Sequence, residues 1–202
     1  MRVSMISLGL AGVAAALAGC VPEPPAESSA FSARAVPFPG GAGSAQPQLR
    51  SGAEGTAVLG WLEPTDDGAA LRSPTLDGDA FSPPREVARG SDLFVNWADL
   101  PSVQPITPDV WAAHWLRLAP DSAGAYHVAS AVSRDGGRSW SAPVQLNDDS
   151  AEAEHGFVEL FAWNGAIGAF WLDGRQVAEW SFDEPDKLLG TSLRIAALDY
   201  SG

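Results

Sequence analysis

The chain is short of cross-linking residues and of positive charge. One of its 202 residues is cysteine, Cys20, so neither an intrachain disulfide nor a cysteine-rich zinc cluster is available. Lys187 is the single lysine, and the formal net charge is −13. That balance argues against nucleic acid and against an anionic membrane surface as partners, since both require a basic face. It also opposes long-range capture of an anionic sugar unless a local arginine cluster overrides it. A sustained 3.6-residue apolar period is missing after the N-terminal segment, which leaves no candidate for a long amphipathic helix. Met5 to Leu17 form an apolar run, but a comfortable membrane span needs about 20 residues.

What is present begins with a targeting pattern. Arg2 supplies a positive start, the apolar run follows, and small residues close it. The segment ends Leu17-Ala18-Gly19-Cys20, which resembles the bacterial lipobox. The resemblance implies that residues 1–19 are a signal peptide and that Cys20 is diacylated as the mature N-terminus. With Val21 next to it instead of Asp, it implies an outer-membrane lipoprotein facing the periplasm or the cell surface. Contact with the membrane is then through the lipid anchor alone, and two or more acyl chains hold stably. An ordinary cleaved signal with an incidental cysteine is the alternative. Residues 20–48 are rich in Pro, Ala, Ser and Gly, cannot bury much apolar surface, and are expected to be a flexible tether. Residues 49–202 remain, enough for one modest domain.

Within that domain the apolar runs are short, β-branched or aromatic, and bounded by Gly, Pro, Asn and Asp, as strands are. Ala166 to Leu172 is apolar at odd and even positions alike, the pattern of a strand buried on both faces. A repeat runs through the domain. Trp-Leu followed by a charged residue occurs at Trp61-Leu62-Glu63, Trp115-Leu116-Arg117 and Trp171-Leu172-Asp173, about 55 residues apart. Each copy precedes a loop, a strand and an Asp-containing turn. The second turn is Ser133-Arg134-Asp135-Gly136-Gly137-Arg138-Ser139-Trp140. Here Asp135 can accept hydrogen bonds from its own loop, Gly136 and Gly137 can take positive φ, and Trp140 offers a large face to bury. The other two turns, at Asp77 and Asp199, are degenerate.

Ser133, Asp135, Gly137 and Trp140 spell Ser-x-Asp-x-Gly-x-x-Trp, which resembles the Asp-box, or bacterial neuraminidase repeat. The chain is similar over residues 45–202 to the N-terminal half of a bacterial sialidase-like propeller lipoprotein. Phe94 to Asp99, Ala113 to Leu116, Glu154 to Phe157 and Trp171 to Arg175 also carry the likeness. The resemblance implies an all-β, sialidase-like β-propeller with four-stranded antiparallel blades, of which about three are present. The expected strands are Leu93–Trp97, Val110–Leu116, Tyr126–Ser133 and Ser141–Leu146 in the second blade. In the third they are Phe157–Trp163, Ala166–Leu172 and Leu193–Leu198, with an Asn164-Gly165 hairpin. Family propellers have about six blades, so the sequence reads as a fragment. Failing that, it would close a ring by self-association through its open edge, or form a small open sheet.

Blade topology sorts the polar residues onto two ends. Asp135 and Asn164-Gly165 share one end, and Asp99 is placed with them as structural. The opposite end, where propellers bind ligands, receives Glu154, His155, Asp173, Arg175, His114 and Arg117 as ligand-binding candidates. These supply a base, an acid and an anion clamp, and they include His and carboxylate ligand types; no metal or cofactor is assigned. The competing expectation is that Asp173 pairs with Arg175 or caps its own turn, and that the histidines satisfy loop carbonyls. Family sialidases carry an arginine triad beginning in Arg-Ile-Pro, an Asp acid/base and a Tyr–Glu nucleophile pair. This chain has no Arg-Ile-Pro; its nearest arginine is Arg50, and its tyrosines, Tyr126 and Tyr200, are expected away from the mouth. The leading expectation is therefore an envelope propeller that binds a glycan or peptide. An exo-α-sialidase-type hydrolase and a structural component of an outer-membrane assembly are the alternatives.

Overall fold

The structure, a computed structural model, describes residues 32–52, 55–120, 122, 124–177 and 190–200. Residues 1–19, expected to be a signal peptide, and the lipidation candidate Cys20 lie outside the described residues. The described chain contains no α-helix. It is all-β, built from three antiparallel sheets in which strands follow one another up and down.

The first sheet contains β1 (Ala45–Ser51), β2 (Ala57–Thr65), β3 (Gly68–Ser73), β4 (Thr75–Asp77), β5 (Ala80–Phe81) and β6 (Arg85–Gly90). β2 pairs with β1 along one side and with β3 and then β4 along the other, because Pro74 interrupts what is otherwise one strand. The second sheet runs β7 (Ser102–Pro105), β8 (Trp111–Leu118), β9 (Tyr126–Ser133) and β10 (Val144–Gln145). The third runs β11 (His155–Trp163), β12 (Ala166–Asp173) and β13 (Ser192–Leu198). β1 starts ahead of the expected domain boundary at residue 49, and Phe38 already packs edge-on to Trp61 at 5.1 Å.

β8 shows why these residues make stacked sheets. Trp111, Ala113 and Trp115 point into a core that joins Val103 of their own sheet to Val58, Leu62 and Leu71 of the first. The alternate residues Ala112 and Leu116 point into a second core with Leu160, Ile167, Ala169 and Trp171 of the third. A period-two strand with both faces apolar must be covered on both sides, and the second sheet is. Each large side chain buried this way contributes about 1.5–3 kcal/mol. The Trp of every Trp-Leu repeat (Trp61, Trp115, Trp171) occupies the second strand of its sheet and is buried. Trp61 and Trp171 donate their indole N–H to the acid two residues on, Glu63 at 3.3 Å and Asp173 at 3.2 Å. In these two copies the repeat couples a core anchor to a carboxylate two residues on. The third sheet differs in having one covered face and one that leaves Leu193 and Ile195 exposed.

The turns follow their sequence chemistry. Asn164 and Gly165 both take positive φ, 49° and 80°, as a two-residue hairpin of this type requires. In the Asp135 turn, Oδ1 accepts the N–H groups of Arg138 and Ser139 at 2.9 and 2.8 Å and the Ser133 hydroxyl at 2.8 Å, while Oδ2 accepts the Ser139 hydroxyl at 2.6 Å. Those bonds, Ser139 first, hold the Asp135 carboxyl well below the usual range. Gly137, at φ 75°, lies so close to Trp111 that a β-carbon would meet its ring at 2.6 Å. Trp140 packs on the first core. The degenerate turn at Asp77 is also a hairpin, joining β4 to β5.

One expected strand is misplaced. Leu93–Trp97 is not the first strand of the second sheet; Ser102–Pro105 is. Leu93 makes only an isolated bridge to Arg117, and Phe94 donates its N–H to the Leu116 carbonyl. Pro101 resets the chain after this bridge, and Val103 rather than Val95 enters the core. The shift moves Asp99 to the start of a strand, and so to the end of the sheets opposite the Asp135 turn.

Candidate functional site

The starts of β7, β9 and β11 and the ends of β8 and β12 lie together. Tyr126 and Glu154 form a parallel bridge, and Asp99 lies against Gly156. This end gathers Asp99, Tyr126, Asp148, Asp149, Glu154, His155, Asp173 and Arg175.

Asp173 closes β12 and is fully buried. Burial opposes its ionisation, but hydrogen bonds from Arg175 and Trp171 and the nearby His155 ring outweigh this and hold its carboxyl well below the ordinary range. Arg175 reaches back over the Gly174 turn. Its Nε lies 2.7 Å from Asp173 Oδ1. Its Nη2 lies 2.6 Å from Asp148 and 2.7 Å from both Asp149 and Asp173. The guanidinium is raised above its usual pKa, the Asp173 bonds contributing most. Gly174 is required where it stands, because a β-carbon would meet the Glu154 carbonyl oxygen at 2.5 Å.

His155 is also fully buried. Its Nδ1 lies 3.1 Å from the Tyr126 carbonyl and 3.2 Å from the Ala153 carbonyl. Carbonyls only accept, so Nδ1 carries a proton. Nε2 has no hydrogen-bond partner and faces Asp149 Oδ2 at 3.2 Å and Asp173 Oδ1 at 3.8 Å. His127 stacks on the His155 ring at 5.3 Å, and burial together with that neighbour lowers its pKa.

Asp99 forms the second part of the site. It is 2% exposed, and neither carboxylate oxygen completes a hydrogen bond. Burial pushes its pKa up to about 6; the Phe157 N–H and the Tyr126 hydroxyl, nearby but not in hydrogen-bond geometry, offset this only in part, and the Glu154 charge adds to it. The Tyr126 hydroxyl is pushed upward too, by burial first and then by Asp99 and Glu154. Phe157 stands at φ 52°, a region costly for a bulky residue, at an irregularity in the β11–β12 register. Two residues before Asp99, Trp97 is 93% exposed.

A cavity of about 400 Å³ opens at the same end, between the loop before β9 and the residues flanking β12 and β13. Ser122, Glu152, Glu154 and Thr191 give it carboxylates and hydroxyls. A larger one, about 610 Å³, lies near the Asp135 turn beside β13, where the second sheet has a fourth strand and the third has none among the described residues. It is lined by β9, the Asp135 turn, Val144 of β10 and the end of β13, and it contains none of the six sequence candidates.

The six candidates read from sequence therefore separate. Glu154, His155, Asp173 and Arg175 come together. His114 does not: it is fully buried, accepts from the Ser102 hydroxyl at Nδ1 (3.1 Å) and donates from Nε2 to the Leu100 carbonyl (3.1 Å). Burial lowers its pKa to about 4, so it is a neutral core histidine. Arg117 is held by Asp92 at 2.6 Å and pairs with none of the cluster's carboxylates, although its cross-strand neighbour His127 stacks on His155. Asp99 was expected at the Asp135 end and Tyr126 away from the mouth; both belong to this site. Asp148 and Asp149 were missed, although an Asp-Asp pair ending five residues ahead of Glu154 is a visible signal.

No family profile matches the chain. No curated protein matches it. Among solved structures, the chain is similar to an endo-1,4-beta-xylanase from Bacteroides thetaiotaomicron VPI-5482, with a TM-score of 0.41 and 16% identity. The match covers 64% of this chain and 48% of the other, so the chain spans less than half of that structure. Fold and site together define an all-β protein of stacked antiparallel sheets with an acidic, partly buried cluster at one end.

Proposed function

We propose that this chain is a cell-envelope lipoprotein whose three sheets are blades of an Asp-box propeller, and that its acidic end binds a neutral, hydroxyl-rich glycan. Support for the blades comes from the up-and-down order of each sheet, the Trp-Leu repeat on every second strand, and an apolar outer face on the third sheet suited to a further blade. The observation that carries the ligand reading is Trp97, an exposed indole two residues from a buried acid at the start of β7. Sugar rings present C–H faces that stack on aromatic rings and hydroxyls that donate to carboxylates.

The arginines favour a neutral sugar over a sialoside. Arg175 is bound by three carboxylates, Arg50 makes a two-pronged pair with Glu159 at 2.8 and 2.7 Å, and Arg117 is held by Asp92. A sugar carboxylate would have to displace these partners before it could be clamped. An array of neutral glycans, sialylated glycans and peptides, probed with the full-length chain, tests the reading. Retention on neutral glycans supports it; retention on sialosides or peptides alone overturns it.

A glycoside hydrolase is the second reading, favoured by Asp99. A carboxyl raised to about 6 is suited to donating a proton near neutral pH. Turnover of a neutral aryl glycoside, lost in Asp99→Asn, supports this reading. Turnover of a sialoside instead restores the exo-α-sialidase alternative.

A further inference from the structure

We propose that Asp149, His155 and Asp173 form a binding site for one first-row divalent transition-metal ion of the Zn2+ or Mn2+ class. The site stands on the geometry of these three residues and does not depend on the glycan reading.

The histidine is arranged as a ligand. Its Nδ1–H is committed to the Tyr126 and Ala153 carbonyls, which fixes both the tautomer and the ring plane. Nε2 is left with its lone pair, 3.2 Å from Asp149 Oδ2 and 3.8 Å from Asp173 Oδ1. A backbone carbonyl holding the far nitrogen is the usual support of a metal-bound imidazole. Nε2 is buried and has no hydrogen-bond partner, an arrangement that protein atoms alone leave incomplete.

The spacing fits a small ion. Metal–ligand bonds of about 2.0–2.2 Å at tetrahedral angles place ligand atoms roughly 3.3–3.6 Å apart. Nε2 lies 3.2 Å from Asp149 Oδ2 and 3.8 Å from Asp173 Oδ1, and one ligand atom from each residue falls within 4.8 Å of the others. An imidazole with two carboxylates suits Zn2+ or Mn2+ and ill suits Ca2+, which takes six to eight oxygens. Charge also favours a cation. Asp148, Asp149 and Asp173 stand against two guanidinium groups, Arg175 at hydrogen-bonding distance and Arg194 at 3.8 Å from Asp173, so a net negative charge persists there.

Arg175 is the competitor. Its Nη2 draws on the same Asp149 and Asp173 carboxylates, and an ion entering past exposed Asp148 must turn it aside. The rival state is a protonated His155 paired with Asp149 with no metal at all.

The test is calorimetric titration of the chelator-treated full-length chain with Zn2+, Mn2+, Ca2+ and Mg2+, with Co2+ absorption as a spectroscopic readout. The expected result is one saturable Zn2+ or Mn2+ per chain and a melting temperature that rises with the metal. His155→Ala and Asp149→Asn should each weaken binding at least tenfold, and Arg175→Gln should tighten it. Should His155→Ala fail to fold, Asp149→Asn and Arg175→Gln decide. No saturable binding in either wild type or Arg175→Gln overturns the proposal. So does Zn2+ binding that Asp149→Asn leaves unchanged, or a preference for Ca2+. None of these readings involves a glycan, so failure here is distinct from failure of the ligand proposal.

Discussion

Asp99 and Gly156 pack so closely that no β-carbon fits at position 156: it would fall inside the Asp99 carboxylate. The contact joins the start of β7 to the start of β11, so the second and third sheets meet at their acidic end through an unpaired acid and a residue without a side chain. Gly156→Ala should therefore destabilise the chain by about 1–3 kcal/mol, the usual range for overpacking. Asp99→Ala should recover part of that loss, a coupling read by a double-mutant cycle of denaturant midpoints.

Asp99 should also set part of the pH dependence of stability. Its carboxyl rises from 3.8 to about 6 on folding. Between those values the folded chain keeps a proton that the unfolded chain releases. Stability from this group is therefore full below about pH 4 and falls as pH rises through about 6, by at most about 3 kcal/mol. Asp148 and Asp173, both lowered, act in the opposite sense at the acid end, where their stabilisation is lost as pH falls. The Asp99 contribution is the difference between wild type and Asp99→Asn, which should lose the decline between pH 4 and 6. Parallel profiles for the two would contradict the assignment.

Two glycines with nearly equal φ separate strain from contact. Gly137 (75°) has the Trp111 ring 2.6 Å from where a β-carbon would stand, and Gly165 (80°) has nothing within 4 Å. Gly165→Ala should cost about 1 kcal/mol, for the backbone alone. Gly137→Ala should cost more, about 2–4 kcal/mol, since it also displaces a core tryptophan. Thermal melts of both variants check the order.

The uncovered face of the third sheet should drive self-association. Leu193 and Ile195, 69% and 59% exposed, alternate along β13 and lie beside Leu172 and Phe170 on β12. Replacing both with lysine should shift the chain toward monomer in sedimentation velocity. A wild type that sediments as a monomer at all concentrations would contradict this expectation.

Period and turn chemistry made most of the fold legible. Tyr126–Ser133 has the same bounds in expectation and structure, and Asn164-Gly165 turns as its residues demand. Those signals are local. The misplaced strand shows where locality fails: Leu93–Trp97 and Ser102–Pro105 both carry apolar residues, and only packing against Leu71 and Trp115 decides that Val103 enters the core. That one displacement hid Asp99, because the end of the sheet a residue occupies depends on which strand it precedes. The His155–Asp173–Arg175 cluster was legible in its members but not in its state. Both histidine–carbonyl bonds and the Asp173–Arg175 pair match the competing, structural expectation, and Asp148 and Asp149 complete the pairing. The ring and the guanidinium are built into the fold, so His155→Ala and Arg175→Ala should lower the melting temperature rather than act on ligand alone.

Trp97 gives the cleanest test, since its ring is almost wholly solvent-exposed and its removal leaves both cores intact. The decisive measurement is the affinity of wild type and Trp97→Ala for the neutral glycan best retained on the array, with their melts recorded together. The account predicts a loss of at least tenfold in affinity with an unchanged melting temperature. Equal affinity in the two proteins would contradict it.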